Sequence, residues 1–241
     1  MKLDYPVRLQ VYLAKSGFGS RRTCENLMTD GRVTVNGKVC MVLGTKVNED
    51  DAVYVDDVLA EPSDKLYYYA LNKPVGYVCS NYDPNEERFA VDLIDVPWNN
   101  LLFHIGRLDK DSSGLILYTN DGDLANRVMH PSHEVEKEYM VETDTDINRK
   151  DLDQAAKGNV PPYSIKSYEL LSKRWVKIIL TEGKNREIRN MLGLLGYNVS
   201  HLVRTRIGGV ELGKMPVGRF RTLSKAEIES LSGEEGNDSS N

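Results

Sequence analysis

Two short amphipathic patterns open the chain. Leu9, Tyr12 and Leu13 recur at helical spacing, which predicts a helix within residues 7–18. The next pattern, residues 21–28, follows a serine that can cap a helix start and ends before a glycine. The chain is therefore expected to begin with a pair of short helices.

Extended patterns come next. Residues 32–39 alternate β-branched and polar side chains around Asn36-Gly37, a dipeptide that favours a type I′ turn, so a hairpin is predicted. Residues 53–55 supply a further short strand. Residues 61–66 are acidic and contain proline, which is typical of a linker. We therefore expect a first domain over residues 1–60.

Beyond the linker, short apolar runs bounded by turn residues predict a larger domain over residues 67–231. Its strands are expected at 67–74, 101–105, 115–119, 135–141, 176–180 and 199–210, and its helices at 124–129, 150–157, 186–195 and 225–231. Residues 81–100 are polar and predict mainly loop. Residues 232–241 are glycine, serine, asparagine and acidic residues without an apolar partner, so that tail is expected to be disordered.

The charge distribution changes this picture more than the composition does. A net charge of −5 argues against a nucleic-acid partner. However, residues 7–46 carry seven basic and two acidic side chains, and residues 184–225 carry nine and two. The acidic residues concentrate in 49–64 and 226–241. Local basic patches are what phosphate binding requires, although solvated charged faces would give the same counts.

Several classes of protein are not expected. No apolar run approaches the roughly 20 residues that span a bilayer, and the N-terminus lacks the apolar segment of a signal peptide. The three cysteines are widely spaced, which suits a reducing compartment better than a disulfide framework or a zinc site. No glycine-rich phosphate loop or metal-ligand cluster is evident. We therefore expect a cytoplasmic protein with no membrane partner, cofactor or metal.

The polar loop at residues 105–114 is the main candidate for chemistry. It holds Arg107 and Asp109 between glycines and leads into a buried strand, which is a rigid yet accessible place for a reactive carboxylate. A single aspartate in a turn is more often only a turn-former. Asp111 is expected to face away as a turn carboxylate, so a two-carboxylate glycosidase site is not inferred.

Three segments resemble the motifs of RNA pseudouridine synthases, and most of all the rRNA-modifying RsuA branch, which includes RluB and RluF. They are Gly106-Arg107-Leu108-Asp109 with Ser112 and Gly114-Leu115, then Lys137-x-Tyr139, then Gly183-Lys184-Asn185-Arg186 followed by Arg189. The first domain resembles the S4 RNA-binding module through Ser20-Arg21-Arg22, Gly31-Arg32-Val33 and Val35-Asn36-Gly37.

This resemblance implies an α+β protein: an S4 domain of two helices and a short hairpin, followed by a pseudouridine synthase domain with a mostly antiparallel sheet. It implies that Asp109 initiates cleavage of the glycosidic bond, by attacking C1′ or by removing a ribose proton. It further implies that Tyr139 lies over the target uracil and that Arg189 pairs with Asp109. RNA contacts are expected from Arg107, Lys137, Lys184, Asn185, Arg186, Arg204, Arg21, Arg22, Arg32 and Lys38.

The implied partner is ribosomal RNA, 16S or 23S, or a ribosome assembly intermediate, and the chain is expected to act as a monomer. Two other functions stay open from the residues. One is an RNA-binding or ribosome-associated protein with an inactive site. The other is a tRNA-directed synthase of a related branch, which the S4 module and the Gly-Lys-Asn-Arg segment disfavour.

Overall fold

The computed structural model describes residues 3–81 and 83–233. The predicted disordered tail, 232–241, therefore lies largely outside the described residues, and its first residue, Ser232, ends the last helix. The longest helix among the described residues has nine residues. None of the described helices has the length and apolar character that crossing a bilayer requires.

The chain forms two compact units. One extends up to Tyr67 and also includes Asp95–Phe103, and the other consists of Tyr68–Ile94 and the residues from His104 onward. The sequence indicates only a loop for most of the 95–103 segment, because its polar and proline residues show no periodicity. The predicted boundaries of the domains and linker stay predictions.

The first unit contains short elements, as predicted. They are β1 (Val7–Arg8), α1 (Leu9–Lys15), α2 (Arg21–Thr29), β2 (Val33–Val35), β3 (Lys38–Val39), β4 (Lys46–Val47), β5 (Val53–Val55) and β6 (Val58–Leu59). The helix pair is confirmed, and so is the hairpin, because Asn36 and Gly37 both have positive φ. Residues 7–8 are a strand rather than the first turn of α1, since they pair with residues 46–47.

The core of the first unit explains why these elements form. Leu9 and Leu13 of α1 and Met28 of α2 are fully buried against valines of the four-stranded sheet β3-β2-β5-β6. Burying each such side chain contributes about 2 kcal/mol, more than helix propensity supplies to helices this short. The Tyr12 hydroxyl donates to the carbonyl of Ala60 at 3.1 Å, which ties α1 to the end of β6.

The remaining elements build one large sheet with helices beside it. They are β7 (Tyr68–Lys73), β8 (Phe103–Ile105), β9 (Ser113–Thr119), α3 (Gly122–Met129), β10 (Lys137–Thr143), α4 (Arg149–Ala156), β11 (Ser167–Leu170), β12 (Trp175–Leu180), α5 (Glu187–Leu194), β13 (Val199–Ile207), β14 (Val210–Glu211), β15 (Phe220–Thr222) and α6 (Lys225–Ser232). Short 3-10 turns lie at Ala90–Leu93, Asn99–Leu101 and Pro131–His133.

The strand order of this sheet is β11-β12-β10-β13-β9-β7-β15, with β14 paired to β13 and β8 to β9. Along that path β13 and β9 run parallel, and every other neighbouring pair is antiparallel. The α+β class and the mostly antiparallel sheet are confirmed. The parallel pair joins the strand that follows the 105–114 loop to the strand that follows α5.

Candidate active site

The 105–114 loop is pressed against the centre of the sheet. Gly114, at the start of β9, pairs with Arg204 of β13, and a Cβ at Gly114 would lie 2.3 Å from the Arg204 carbonyl oxygen. Gly114 also has φ +102°, which L side chains rarely adopt. Within the loop, the Ser112 N–H donates to the Asp109 carbonyl at 3.0 Å. Only glycine at position 114 lets the loop approach β13 this closely.

Arg204 holds the loop from inside the protein. Its side chain is buried, with Nε donating to the Leu115 carbonyl at 2.7 Å and Nη1 to the Arg107 carbonyl at 3.2 Å. The sequence predicts Arg204 as an RNA contact, but the structure gives this guanidinium backbone partners in the loop. The side chain has this position because β13 places it directly under the Gly114 turn.

A second buried cation supports the loop from the neighbouring strand β7. Lys73 is fully buried, and its Nζ donates to the carbonyls of Pro74 and Tyr77 at 2.9 and 2.8 Å. Burial lowers the pKa of Lys73, while nearby Cys79 and Asp109 oppose that shift. These bonds fold residues 74–77 into a compact turn.

That turn binds the loop directly. The Gly76 N–H donates to the Lys110 carbonyl at 2.7 Å. The Leu108 N–H donates to Cys79 Sγ at 3.3 Å, and the Cys79 thiol lies 3.2 Å from the Leu108 carbonyl. The backbone on both sides of Asp109 is therefore fixed by another segment of the chain.

Asp109 lies at a cavity of about 490 Å³. The residues predicted from the sequence that line it are Arg107, Asp109, Lys137, Tyr139, Lys184, Asn185, Arg186 and Arg204. This volume falls in the range of about 300–1,000 Å³ typical of small-molecule sites. The Asp109 side chain is 31% exposed, so its carboxylate is accessible from the cavity.

Tyr139 and Lys137 reach the cavity from one face of β10, as the two-residue repeat of a strand predicts. Tyr139 is buried, and the Arg204 guanidinium lies 6.0 Å from its ring centroid. Burial lowers the pKa of Lys137, and the positive charge of Arg204 adds to that shift. The Lys137 Nζ donates to the Val135 carbonyl at 3.2 Å.

The arginines at the start of α5 differ from the prediction. Arg186 Nη1, rather than Arg189, lies 3.3 Å from Asp109 Oδ2. Arg189 donates to the carbonyls of Val199 and Asp111, each at 2.8 Å. The predicted Arg189–Asp109 pair is wrong for this structure, because Arg189 lies one helical turn further along and its side chain packs beneath the loop.

Asp111 also differs from the prediction. It does not face away as a turn carboxylate: its Oδ1 and Oδ2 accept hydrogen bonds from Arg186 at 3.0 and 2.9 Å. The bond from Arg186 holds the pKa of Asp111 below its usual range. No local pattern signals this contact, because it joins residues 75 positions apart.

Sequence reasoning missed several cavity residues, among them Glu187 and His104. Glu187 is buried, and burial raises its pKa although the Lys184 N–H donates to it at 2.9 Å. An acidic residue in the first turn of a helix was the available signal. His104 Nδ1 donates to the Gly106 carbonyl at 2.8 Å, and burial lowers its pKa.

The four predicted RNA contacts of the first unit are all exposed. Arg21 and Arg22 lie in the first turn of α2, whose start is capped by Ser20. Lys38 lies in β3. Arg32 forms an ion pair with Asp56, so much of its charge is already compensated. Among the described residues, no group of histidines, cysteines and carboxylates is arranged to hold a metal ion.

Comparisons with known protein families give matches in both parts of the chain. Residues 67–193 match the RNA pseudouridylate synthase family, and residues 7–53 match the S4 domain. The first match covers more than half of the chain and includes the 105–114 loop, β10 and the start of α5.

Individual relatives match over nearly the whole chain. An uncharacterized RNA pseudouridine synthase of Mycobacterium leprae is 41% identical, covering 93% of this chain and 92% of the relative. The dual-specificity RNA pseudouridine synthase RluF of Salmonella typhi is 38% identical, covering 95% of this chain and 79% of the relative. A crystal structure of a pseudouridylate synthase superposes with a TM-score of 0.69 at 29% identity, covering 93% of this chain and 99% of that chain.

Proposed function

The chain belongs to the RNA pseudouridine synthase family, with an N-terminal S4 domain, and on that premise we propose that it isomerises a uridine of ribosomal RNA to pseudouridine with Asp109 as the catalytic carboxylate. Because it belongs to this family and carries an S4 domain, the chain is an isomerase that binds RNA. The identity of the RNA and the roles of individual residues belong to the proposal.

One observation carries the assignment of the site. Asp109, Tyr139 and Arg186 come from three distant segments of the chain and line the same cavity. A reactive carboxylate, an aromatic ring and a cation are the groups that the reaction requires. Their convergence favours a catalytic role for Asp109 over that of a mere turn-former, and its loop is fixed from two sides by Arg204 and the 74–77 turn.

The size of the cavity supports nucleotide flipping. A volume of about 490 Å³ admits one nucleotide but not a stretch of duplex. A uridine in structured RNA must leave its stack to reach a protein carboxylate, at a cost of a few kcal/mol. Arg107 is exposed beside Asp109, where its guanidinium can fill the vacated space in the RNA or hold a phosphate.

In the reaction, the N1–C1′ bond breaks, the uracil turns, a C5–C1′ bond forms, C5 loses its proton and N1 gains one. Asp109 acts as an ionised carboxylate. It either adds to C1′ as the uracil leaves and is displaced by C5, or removes the proton at C2′ and returns it after the C5–C1′ bond has formed. A kinetic isotope effect with uridine deuterated at C2′ separates these routes, because the C2′–H bond is broken only when Asp109 removes that proton.

Tyr139 and the cations around it orient the flipped base. The tyrosine ring offers a stacking face, and stacking one base on an aromatic side chain contributes roughly 1–3 kcal/mol. In this proposal its hydroxyl assists loss of the C5 proton. Arg204 lies over the ring and Lys137 lines the same cavity, and their positive charge favours an electron-rich base and the developing anion at its carbonyls.

Ribosomal RNA is the proposed substrate because of the first unit. An S4 module recognises RNA by shape and phosphates, and Arg21, Arg22 and Lys38 are exposed for such contacts. The proposal places the enzyme in the cytoplasm, where rRNA is assembled. The catalytic groups named above all come from one chain, which suits a monomer.

Asp109→Asn tests the catalytic role. We expect release of tritium from RNA labelled at uridine C5 to fall by at least about 10³-fold while RNA affinity changes little, because the substitution removes the charge and keeps the shape. Glu169→Gln, which removes a carboxylate from an exposed ion pair with Lys177, is the matched control and should keep full activity. A large loss of RNA affinity in Asp109→Asn would contradict the assigned role.

The substrate is tested in cells. Sequencing of pseudouridines in rRNA and tRNA from cells without the gene should show one or more missing sites in 16S or 23S rRNA, which wild-type protein restores and the Asp109→Asn variant does not. Missing sites confined to tRNA would overturn the ribosomal assignment. Unchanged modification would favour a binding protein with an inactive site.

A further inference from the structure

Asp111 accepts hydrogen bonds from both arginines at the start of α5, Arg186 and Arg189. Its carboxylate accepts two hydrogen bonds from Arg186, at 3.0 and 2.9 Å. Its carbonyl accepts one from Arg189 at 2.8 Å, and the Arg189 Nε lies 3.3 Å from Asp111 Oδ2. A two-pronged arginine–carboxylate pair fixes the orientation as well as the position of the guanidinium.

Arg186 reaches Asp111 from an unusual backbone position. It is the N-cap residue of α5 and has φ +46° and ψ +35°, the left-handed region that a non-glycine residue adopts at an energetic cost. Its carbonyl still accepts the Asn190 N–H at 2.8 Å, so the helix begins normally. The conformation therefore serves to direct the side chain of Arg186 towards the loop that carries Asp109 and Asp111.

The two arginines differ in how easily their contacts can be exchanged. The Arg189 side chain is 12% exposed and binds backbone carbonyls, whereas Arg186 is 39% exposed and binds a carboxylate that is 48% exposed. Half-exposed ion pairs contribute little free energy and can be replaced by another anion. Arg189 is thus a fixed tie to the loop, and Arg186 is held by an exchangeable partner.

Arg186 also lies within reach of the catalytic carboxylate. Its Nη1 is 3.3 Å from Asp109 Oδ2, a single longer contact compared with the two bonds to Asp111. If Asp111 were neutral, Asp109 would be the nearest carboxylate available to this guanidinium. The bond to Asp111 therefore limits how strongly Arg186 can engage Asp109.

We propose that Asp111 is a positioning residue, an exchangeable counter-ion that keeps Arg186 from pairing fully with Asp109 until a phosphate of the RNA backbone takes its place. The inference rests on the proposed catalytic role of Asp109. In the RNA-free protein Asp111 holds the guanidinium at the rim of the cavity. When RNA binds, the phosphate replaces the Asp111 carboxylate on Arg186, and Arg189 keeps the loop in place through the Asp111 carbonyl.

Asp111→Asn should strengthen RNA binding. Without the carboxylate charge, Arg186 is available to phosphate, so RNA affinity should rise about two- to fivefold. Its salt dependence should steepen by about 0.7 in the logarithmic slope, because one more phosphate contact then releases a counter-ion without an ion pair being broken.

The experiment uses the full chain and a poly(U) oligonucleotide, and it measures affinity and its salt dependence. Asp111→Glu restores the charge and should return both quantities to the wild-type values. Glu169→Gln changes the net charge by the same amount away from the cavity and should leave both quantities unchanged. In an Arg186→Gln background, Asp111→Asn should have no further effect on the salt slope.

Each outcome decides the inference. A loss of affinity, accompanied by a lower melting temperature, would show that Asp111 is merely structural and would overturn it. An unchanged affinity and salt slope would overturn it as well. The poly(U) arm needs no turnover, so it tests Asp111 even if wild-type protein and Asp109→Asn form no pseudouridine, the outcome that would defeat the proposed function instead.

Discussion

The arginines of the two units are held very differently. In the second unit, Arg204 and Arg189 each donate to carbonyls of the loop that carries Asp109. In the first unit, Arg21 and Arg22 are exposed in the first turn of a helix. The same residue type thus serves as an internal tie in one unit and as a surface charge in the other.

This difference follows from what each unit has to do. Catalysis requires groups held within a fraction of an ångström, and a guanidinium with fixed acceptors provides that order. Attraction of an RNA backbone requires positive charge that can adjust to many phosphate positions. Basic residues counted along a sequence therefore do not all indicate a nucleic-acid surface, because several of those in 184–225 hold the protein together.

The largest expected effect comes from breaking the fixed region. Gly114→Ala should lower the free energy of unfolding by about 3–4 kcal/mol, because the new Cβ would lie 2.3 Å from the Arg204 carbonyl oxygen. Gly106→Ala is the matched control: Gly106 has φ +70° but no heavy atom within 4 Å of the added Cβ, so it should cost only about 1 kcal/mol. Chemical denaturation measures both, and equal losses would refute the close approach.

A smaller effect is expected from another fixed arginine, Arg221. It donates to both carboxylate oxygens of Glu227, at 2.6 and 2.9 Å, and this pairing lowers the pKa of Glu227 to about 2 from its unfolded value of 4.5. The stabilisation is fully present above pH 4.5 and is lost as the pH falls towards 2. Comparing the unfolding of wild type and Glu227→Gln should show a difference of about 2 kcal/mol at pH 7, allowing for solvent screening of this partly exposed pair, that shrinks towards pH 3. A difference independent of pH would contradict the ion-pair explanation.

The smallest effect on stability, and the clearest on RNA binding, is expected in the first unit. Replacing Arg21 and Arg22 with glutamine should leave the melting temperature almost unchanged and reduce the salt slope of RNA binding by about 1.5, since two phosphate contacts are removed. Arg32→Gln is the comparison variant: it should change the salt slope less than the loss of Arg21 or Arg22 does, because Asp56 already pairs with Arg32. An equal change in slope from Arg32→Gln would show that this ion pair opens on the RNA.

The sequence predicts those features that depend on local patterns. Strands such as β9 and β12 were predictable because their apolar runs are buried in the sheet. β11 was missed because its residues are mostly half-exposed and polar. The three motif segments are recognisable from their residues in order. Which of Asp109 and Asp111 each of Arg186 and Arg189 contacts is not. These pairings depend on the left-handed backbone at Arg186 and on contacts between residues 75 or more positions apart.

The membership of residues 95–103 in the first unit has a practical consequence for engineering. The polypeptide passes from one unit to the other three times, after Tyr67, after Ile94 and after Phe103. Asn100 Nδ2 donates to the Gly17 carbonyl at 3.1 Å, so this excursion is anchored to the turn between the first two helices. A single cut after Tyr67 would separate residues 95–103 from the rest of the first unit. Exchanging the first unit between such enzymes therefore requires that both segments, the residues up to Tyr67 and residues 95–103, are transferred together.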